Sequence, residues 1–148
     1  MLKLLLVLFV LISACVVIHG VGMIVGLRWL GRSGPEQDAK FSLARTFWLL
    51  VRVVYGLLVL HVLQILLWAA FYHFGGCFPD FETSFYYSAT SYSTVGYGDV
   101  IPDLEWRILG SMEAVTGVLM FGWSTGVLFA VAQGVHARHA LLQGSRRA

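Results

Sequence analysis

Three long apolar runs divide the chain, from about Leu4 to Leu27, from about Phe47 to Phe74 and from about Trp106 to Ala132. A bilayer core of roughly 30 Å takes about 20 helical residues to cross, so each run is long enough to span it. Lipid offers no partner to an open backbone N–H or C=O, so each span is expected to be helical. Between the first two runs, Gly31, Gly34 and Pro35 mark a break, and Glu36 to Thr46 mixes polar with apolar positions. That mixture predicts a short amphipathic helix along the membrane surface. Between the second and third runs, Gly75 to Glu105 is too polar to span and too aromatic for an ordinary loop. Phe78, Phe81, Phe85, Tyr86, Tyr87 and Tyr92 stand there among serines and threonines. The expected fold class is an all-α membrane protein.

Composition agrees. Hydrophobic residues make up 58% of the 148 and charged residues only 12%, where a soluble domain has about 45–50% and about 25%. So little charge cannot cover a water-facing globule, and the solvent of this chain is lipid. Cys15 and Cys77 lie far apart and imply no disulfide framework. No Cys/His cluster has metal-ligand spacing, and neither a phosphate loop nor a Ser/His/Asp set points to an enzyme. Nothing in the pattern points to nucleic acid.

Charge placement sets an orientation. Arg28, Arg32, Lys40 and Arg45 follow the first run, and Arg138, Arg146 and Arg147 lie in the C-terminal tail. Gly75 to Glu105 carries Asp80, Glu82, Asp99, Asp103 and Glu105 without a lysine or arginine. Basic loops stay inside, so the first loop and the tail are expected in the cytoplasm, the N-terminus and the aromatic segment outside. Arg45 and Arg52 are expected to reach toward the cytoplasmic interface. Lys3 and the stretch Leu11 to Cys15 resemble a lipoprotein cleavage site, but apolar sequence runs well past Cys15, longer than a signal core. The first run is therefore read as an anchor.

Within the aromatic segment, Thr94-Val95-Gly96-Tyr97-Gly98-Asp99 reads TVGYGD, the signature order of potassium channels. From about Tyr55 to Ala132 the chain resembles bacterial two-helix-plus-pore-loop potassium channels, relatives of inward rectifiers and two-pore channels. The resemblance implies a filter in which backbone carbonyls from four chains replace the water of a potassium ion. Potassium would then be bound at Thr94, Val95, Gly96 and Tyr97, with Gly98 closing the set. Such a loop needs unusual dihedrals at alternating positions, which glycine reaches without steric cost; Gly96 and Gly98 meet that need. Val95 and Tyr97 would point away from the axis and hold the loop by packing.

Residues from about Phe81 to Tyr92 are expected to form a re-entrant pore helix, its negative C-terminal end favouring a cation below the filter. Asp99, Thr90, Tyr86 and Tyr87 are candidate filter supports, and Phe81, Phe85, Tyr86 and Tyr92 a candidate aromatic cuff. Some relatives carry an acidic residue where Thr90 stands, so inactivation built on a carboxyl pair is not carried over. Asp99 remains free to bond an aromatic N–H or hydroxyl. The resemblance also places Gly117 near the inner-helix hinge, with close helix packing as the alternative, and Phe121 and Thr125 near the cavity and gate. Glu113 is an ionisable group inside a span and so a functional candidate. It either bonds the foot of the pore helix or lends negative potential to the cavity. His61, also mid-span, is read as a neutral histidine bonded to a neighbouring helix.

The expected organisation is thus an N-terminal helix with its linker (1–46), a pore domain (47–133) and a basic tail (134–148). The pore domain holds an outer helix, pore helix 81–92, filter 94–99 and inner helix 106–132. No arginine repeat marks a voltage sensor and no large gating domain is expected, although His136-Ala137-Arg138-His139 is a candidate pH or anionic-lipid sensor. The reading is a potassium-selective channel subunit, with a non-selective cation pore or an accessory subunit as alternatives. Expected partners are three further copies in a homotetramer, the bilayer, and anionic lipids at the basic loop and tail. No cofactor besides the permeant ion is expected, and the expected location is a bacterial inner membrane.

Overall fold

The computed structural model describes residues 2–32 and 43–144. Four helices follow one another: α1 (Leu2–Arg32), α2 (Leu43–Phe74), α3 (Phe81–Tyr92) and α4 (Arg107–Gly144). Three contain stretches long and apolar enough to cross a membrane, Leu2–Trp29, Thr46–Phe74 and Arg107–Val135. Many large apolar side chains of α1 and α2, such as Phe9, Val17, Leu58 and Val59, point outward. In water such a surface would aggregate. In hydrocarbon it is the ordinary exterior. The chain is an all-α integral membrane protein.

Local chemistry sets the ends of the short helix. α2 stops in a Schellman turn: Gly76 takes φ +73°, its N–H reaches His73 O, and Cys77 N–H reaches Tyr72 O. Glycine is the residue that takes this left-handed position at least cost. The chain then reverses into α3. Asp80 caps it, accepting from Thr83 N–H through Oδ1 and from Thr83 Oγ1 through Oδ2, both at 2.8 Å. Those bonds hold the Asp80 carboxyl below the usual range, the backbone N–H of Thr83 contributing most.

α3 packs between α2 and α4, and α1 lies against α2 and α4. Trp68, Tyr72, Tyr92 and Leu109 are fully buried where these helices meet. Glycines admit neighbours that a Cβ would exclude: Leu60 fills the space at Gly22, and the Tyr87 hydroxyl fills that at Gly110. α1 runs unbroken through Cys15, which is fully buried.

Three boundaries differ from the sequence reading. α2 begins at Leu43, so it takes in the last residues of the expected surface helix; the rest of that helix lies outside the described residues. α1 continues to Arg32, and α4 continues to Gly144. Residues 134–148 were expected as a tail because hydropathy falls there. Yet 135–143 is rich in Ala, Leu, Arg and Gln, which favour helix whatever the solvent. The side chains of the His136–His139 cluster and of Arg32, Lys40, Arg45, Arg146 and Arg147 lie outside the described residues.

Candidate functional site

The segment after α3 has a backbone unlike the rest of the chain. Thr94, Gly96 and Gly98 take φ of +63°, +50° and +76°, while Val95 and Tyr97 between them stay at negative φ. Such an alternation in the sign of φ is the backbone pattern that lets consecutive carbonyls share one side of a loop. No atom would meet a Cβ within 4 Å at Gly96 or Gly98, so backbone conformation, not crowding, calls for glycine there. Thr94 holds the same left-handed state with a branched side chain, at a cost of about 1–3 kcal/mol.

The end of α3 holds this segment in place. Thr94 N–H donates to Ser91 O at 2.9 Å, and Gly96 N–H donates to Thr90 O at 3.1 Å. Thr90 thus grips the loop through its carbonyl, while its hydroxyl turns back to Tyr87 O. At the far end, the Tyr86 hydroxyl donates to Asp99 Oδ2 at 2.7 Å. That bond holds the Asp99 carboxyl below the ordinary carboxylate range and pushes the Tyr86 phenol up. Tyr87 packs with Tyr72 and Phe78 and reaches α4 at Gly110. Val95 and Tyr97, by contrast, are 51% and 73% exposed. The described residues of one chain leave half of Val95 and most of Tyr97 uncovered.

Behind the loop, Glu113 of α4 is fully buried. It accepts from the Tyr72 hydroxyl on α2 at 2.8 Å, and its other oxygen stands 2.5 Å from Ser88 Oγ on α3. Ser88 Oγ is also 2.9 Å from Ile65 O. One carboxyl thus joins the outer helix, the short helix and α4. One turn on, the backbone carbonyl of Tyr92 fills the space of a Cβ at Gly117, so the end of α3 rests directly on α4 there. Phe121 packs tilted against His61 and edge-on to Tyr92, with ring centroids 4.5 and 5.5 Å away. The Thr125 hydroxyl returns to Phe121 O.

Of the expected cuff, Phe81 and Phe85 stack on each other near the start of α3 and Tyr86 reaches Asp99. Tyr92 departs from it, turning into the helices and joining a closed ring of hydrogen bonds. Gln64 Nε2 to His19 Nδ1 is 2.9 Å, His19 Nε2 to Ser124 Oγ 3.1 Å and Ser124 Oγ to His61 Nε2 3.0 Å. His61 Nδ1 to Tyr92 Oη is 3.1 Å, and the Tyr92 hydroxyl returns to Gln64 Oε1 at 2.9 Å. Gln64 has a donor end and an acceptor end, so donation runs one way round. With the protons on His19 Nε2 and His61 Nδ1, each member of the ring donates once and accepts once. His61 was anticipated as bonded to a neighbour, but His19, Gln64 and Ser124 were not read as partners. Their only sequence signal is a polar side chain within an apolar span.

Among the described residues no cluster of three or more His, Cys, Asp or Glu could hold a metal. No curated protein and no solved structure matches the chain. A family model described as ion channel matches residues 56–133, from Gly56 of α2 through α3 and its loop to Gln133 of α4. The match takes in over half the chain and all of the loop geometry above, and the chain belongs to the ion channel family.

Proposed function

We propose that four copies of the chain form a potassium-selective channel, with Thr94 to Gly98 as the filter. The observation that supports it most is the alternation of positive and negative φ from Thr94 to Gly98. A bare cation leaves water only if oxygens replace its hydration shell, and a ring of loops with carbonyls on one side supplies them. One chain contributes one side of such a ring. The exposed Val95 and Tyr97 fit the same reading, since neighbouring copies in a closed symmetric assembly would cover them. The C-terminal end of α3 carries partial negative charge and would face the cavity below. Asp99, Tyr86, Thr90 and Tyr87 act as supports that fix the diameter of the loop.

Selectivity for potassium over sodium rests on the TVGYGD order, in which Tyr97 is retained. The basic α1–α2 loop belongs on the cytoplasmic side by the positive-inside rule. That puts the filter at the outer face, most simply of a bacterial inner membrane. The test is cation flux from the purified protein in liposomes. Potassium and rubidium are expected to pass and sodium to be retained. Gly96→Ala forces a Cβ into φ +50°, at about 1–2 kcal/mol in each chain, and flux is expected to fall to background. Sodium flux equal to potassium flux would overturn the selectivity reading.

A further inference from the structure

We propose that the groove between α1, α2 and α4 holds one anionic phospholipid per chain, an acyl chain along its length and the phosphate at Arg52. The groove encloses about 800 Å³ and is lined by Gly26 and Trp29 of α1, Arg52 and Gly56 of α2, and Val127 and Val131 of α4. Its volume falls within the roughly 300–1,000 Å³ of small-molecule sites.

The shape fits an acyl chain. Along α2 the lining runs from Trp48 to Leu60, twelve residues or about 18 Å at 1.5 Å each. One leaflet of a roughly 30 Å core is about 15 Å deep, so the groove is one leaflet long. The floor is left open by glycine. A Cβ at Gly26 or Gly56 would meet nothing within 4 Å. Both lie inside helices at negative φ, where glycine is less favourable than alanine. Neither backbone geometry nor contacts among the described residues account for them. Room for an occupant does.

The charge fits an anionic head group. The Arg52 guanidinium lies over the Trp29 ring, 5.7 Å from its centroid, at the end of the groove where the tryptophans Trp29 and Trp48 mark interfacial depth. Every described carboxylate lies between Asp80 and Glu113, and Glu113 bonds Tyr72. Tyr72 is twenty residues beyond Arg52 on α2, about 30 Å away. A phosphate is the counter-charge that a membrane supplies at this depth, and guanidinium binds phosphate bidentately.

The proposal is tested by native mass spectrometry of the purified channel after exchange into vesicles of equal palmitoyl-oleoyl phosphatidylglycerol and phosphatidylcholine. Wild type is expected to retain about one phosphatidylglycerol per chain. Arg52→Gln is expected to weaken that retention about tenfold, and Arg52→Lys to keep most of it. Gly56→Leu, which fills the floor, is expected to release both lipids while the oligomer mass is unchanged. Gly26→Leu provides the same block from α1. Equal retention of the two lipids would reduce the groove to ordinary boundary contact and overturn the proposal. So would loss of the oligomer in both glycine variants, which would assign the groove to a neighbouring copy.

Discussion

Asp99 shows how one side chain can be tied to loop geometry. Its carboxyl is held below the ordinary range chiefly by the hydrogen bond from Tyr86. A depressed folded value means that the bond contributes above the ordinary carboxylate value, near 3.9, and is lost as pH falls through the depressed value. Tyr86→Phe removes the main cause, so Asp99 would take up its proton at a higher pH, close to the ordinary one. Potassium flux measured with acid on the filter side should therefore fail at higher pH in Tyr86→Phe than in wild type. Superimposable pH curves would sever Asp99 from the filter. Gly96 and Gly98 were legible in the sequence because the TVGYGD order resembles a potassium-channel filter, whose glycines take left-handed positions, and both stand at positive φ. Thr94 was not, since a β-branched residue gives no sign that it takes φ +63°.

At the scale of elements, α3 is held by groups that its own sequence does not reveal. Ser88 has one proton and two acceptors within reach, Ile65 O and Glu113 Oε1. A carboxamide at position 113 can accept from Tyr72 and donate to Ser88, leaving Ser88 to donate to Ile65 O. Glu113→Gln is thus expected to keep the thermal midpoint of the assembly near wild type. Glu113→Ala leaves the buried Tyr72 hydroxyl without its acceptor, at about 1–3 kcal/mol per chain, and the midpoint should drop. An equal drop in both variants would show that charge, not hydrogen bonding, is what matters there. The ring through His19, Gln64, Tyr92, His61 and Ser124 ties α1 to the end of α3 in the same way. His19→Leu opens it and leaves Gln64 and Ser124 each short of a buried partner, again about 1–3 kcal/mol apiece. A His19→Leu protein as heat-stable as wild type would show that α1 contributes no hold on α3. The ring escaped sequence reading because its members are scattered from residue 19 to residue 124, and only packing brings them together. Gly117 was open to two readings, and the Tyr92 carbonyl against it gives close packing a concrete contact.

The whole molecule was the most legible level. Three apolar runs were expected to be helical because lipid leaves the backbone no other choice, and a short helix from Phe81 to Tyr92 was expected from the resemblance; helices stand at all four places. Hydropathy did not reveal where helix outlasts membrane, so α4 continues to Gly144, past the end of its apolar span at Val135. The proposed assembly leaves its mark on one chain only in the uncovered Val95 and Tyr97. The central claim is that this loop, repeated around an axis, distinguishes potassium from sodium. Its most direct test is the reversal potential of the purified channel in a planar bilayer, with potassium on one side and sodium at equal concentration on the other. The account predicts a reversal potential displaced far toward the potassium equilibrium value and unchanged when rubidium replaces potassium. A reversal potential near zero would contradict it.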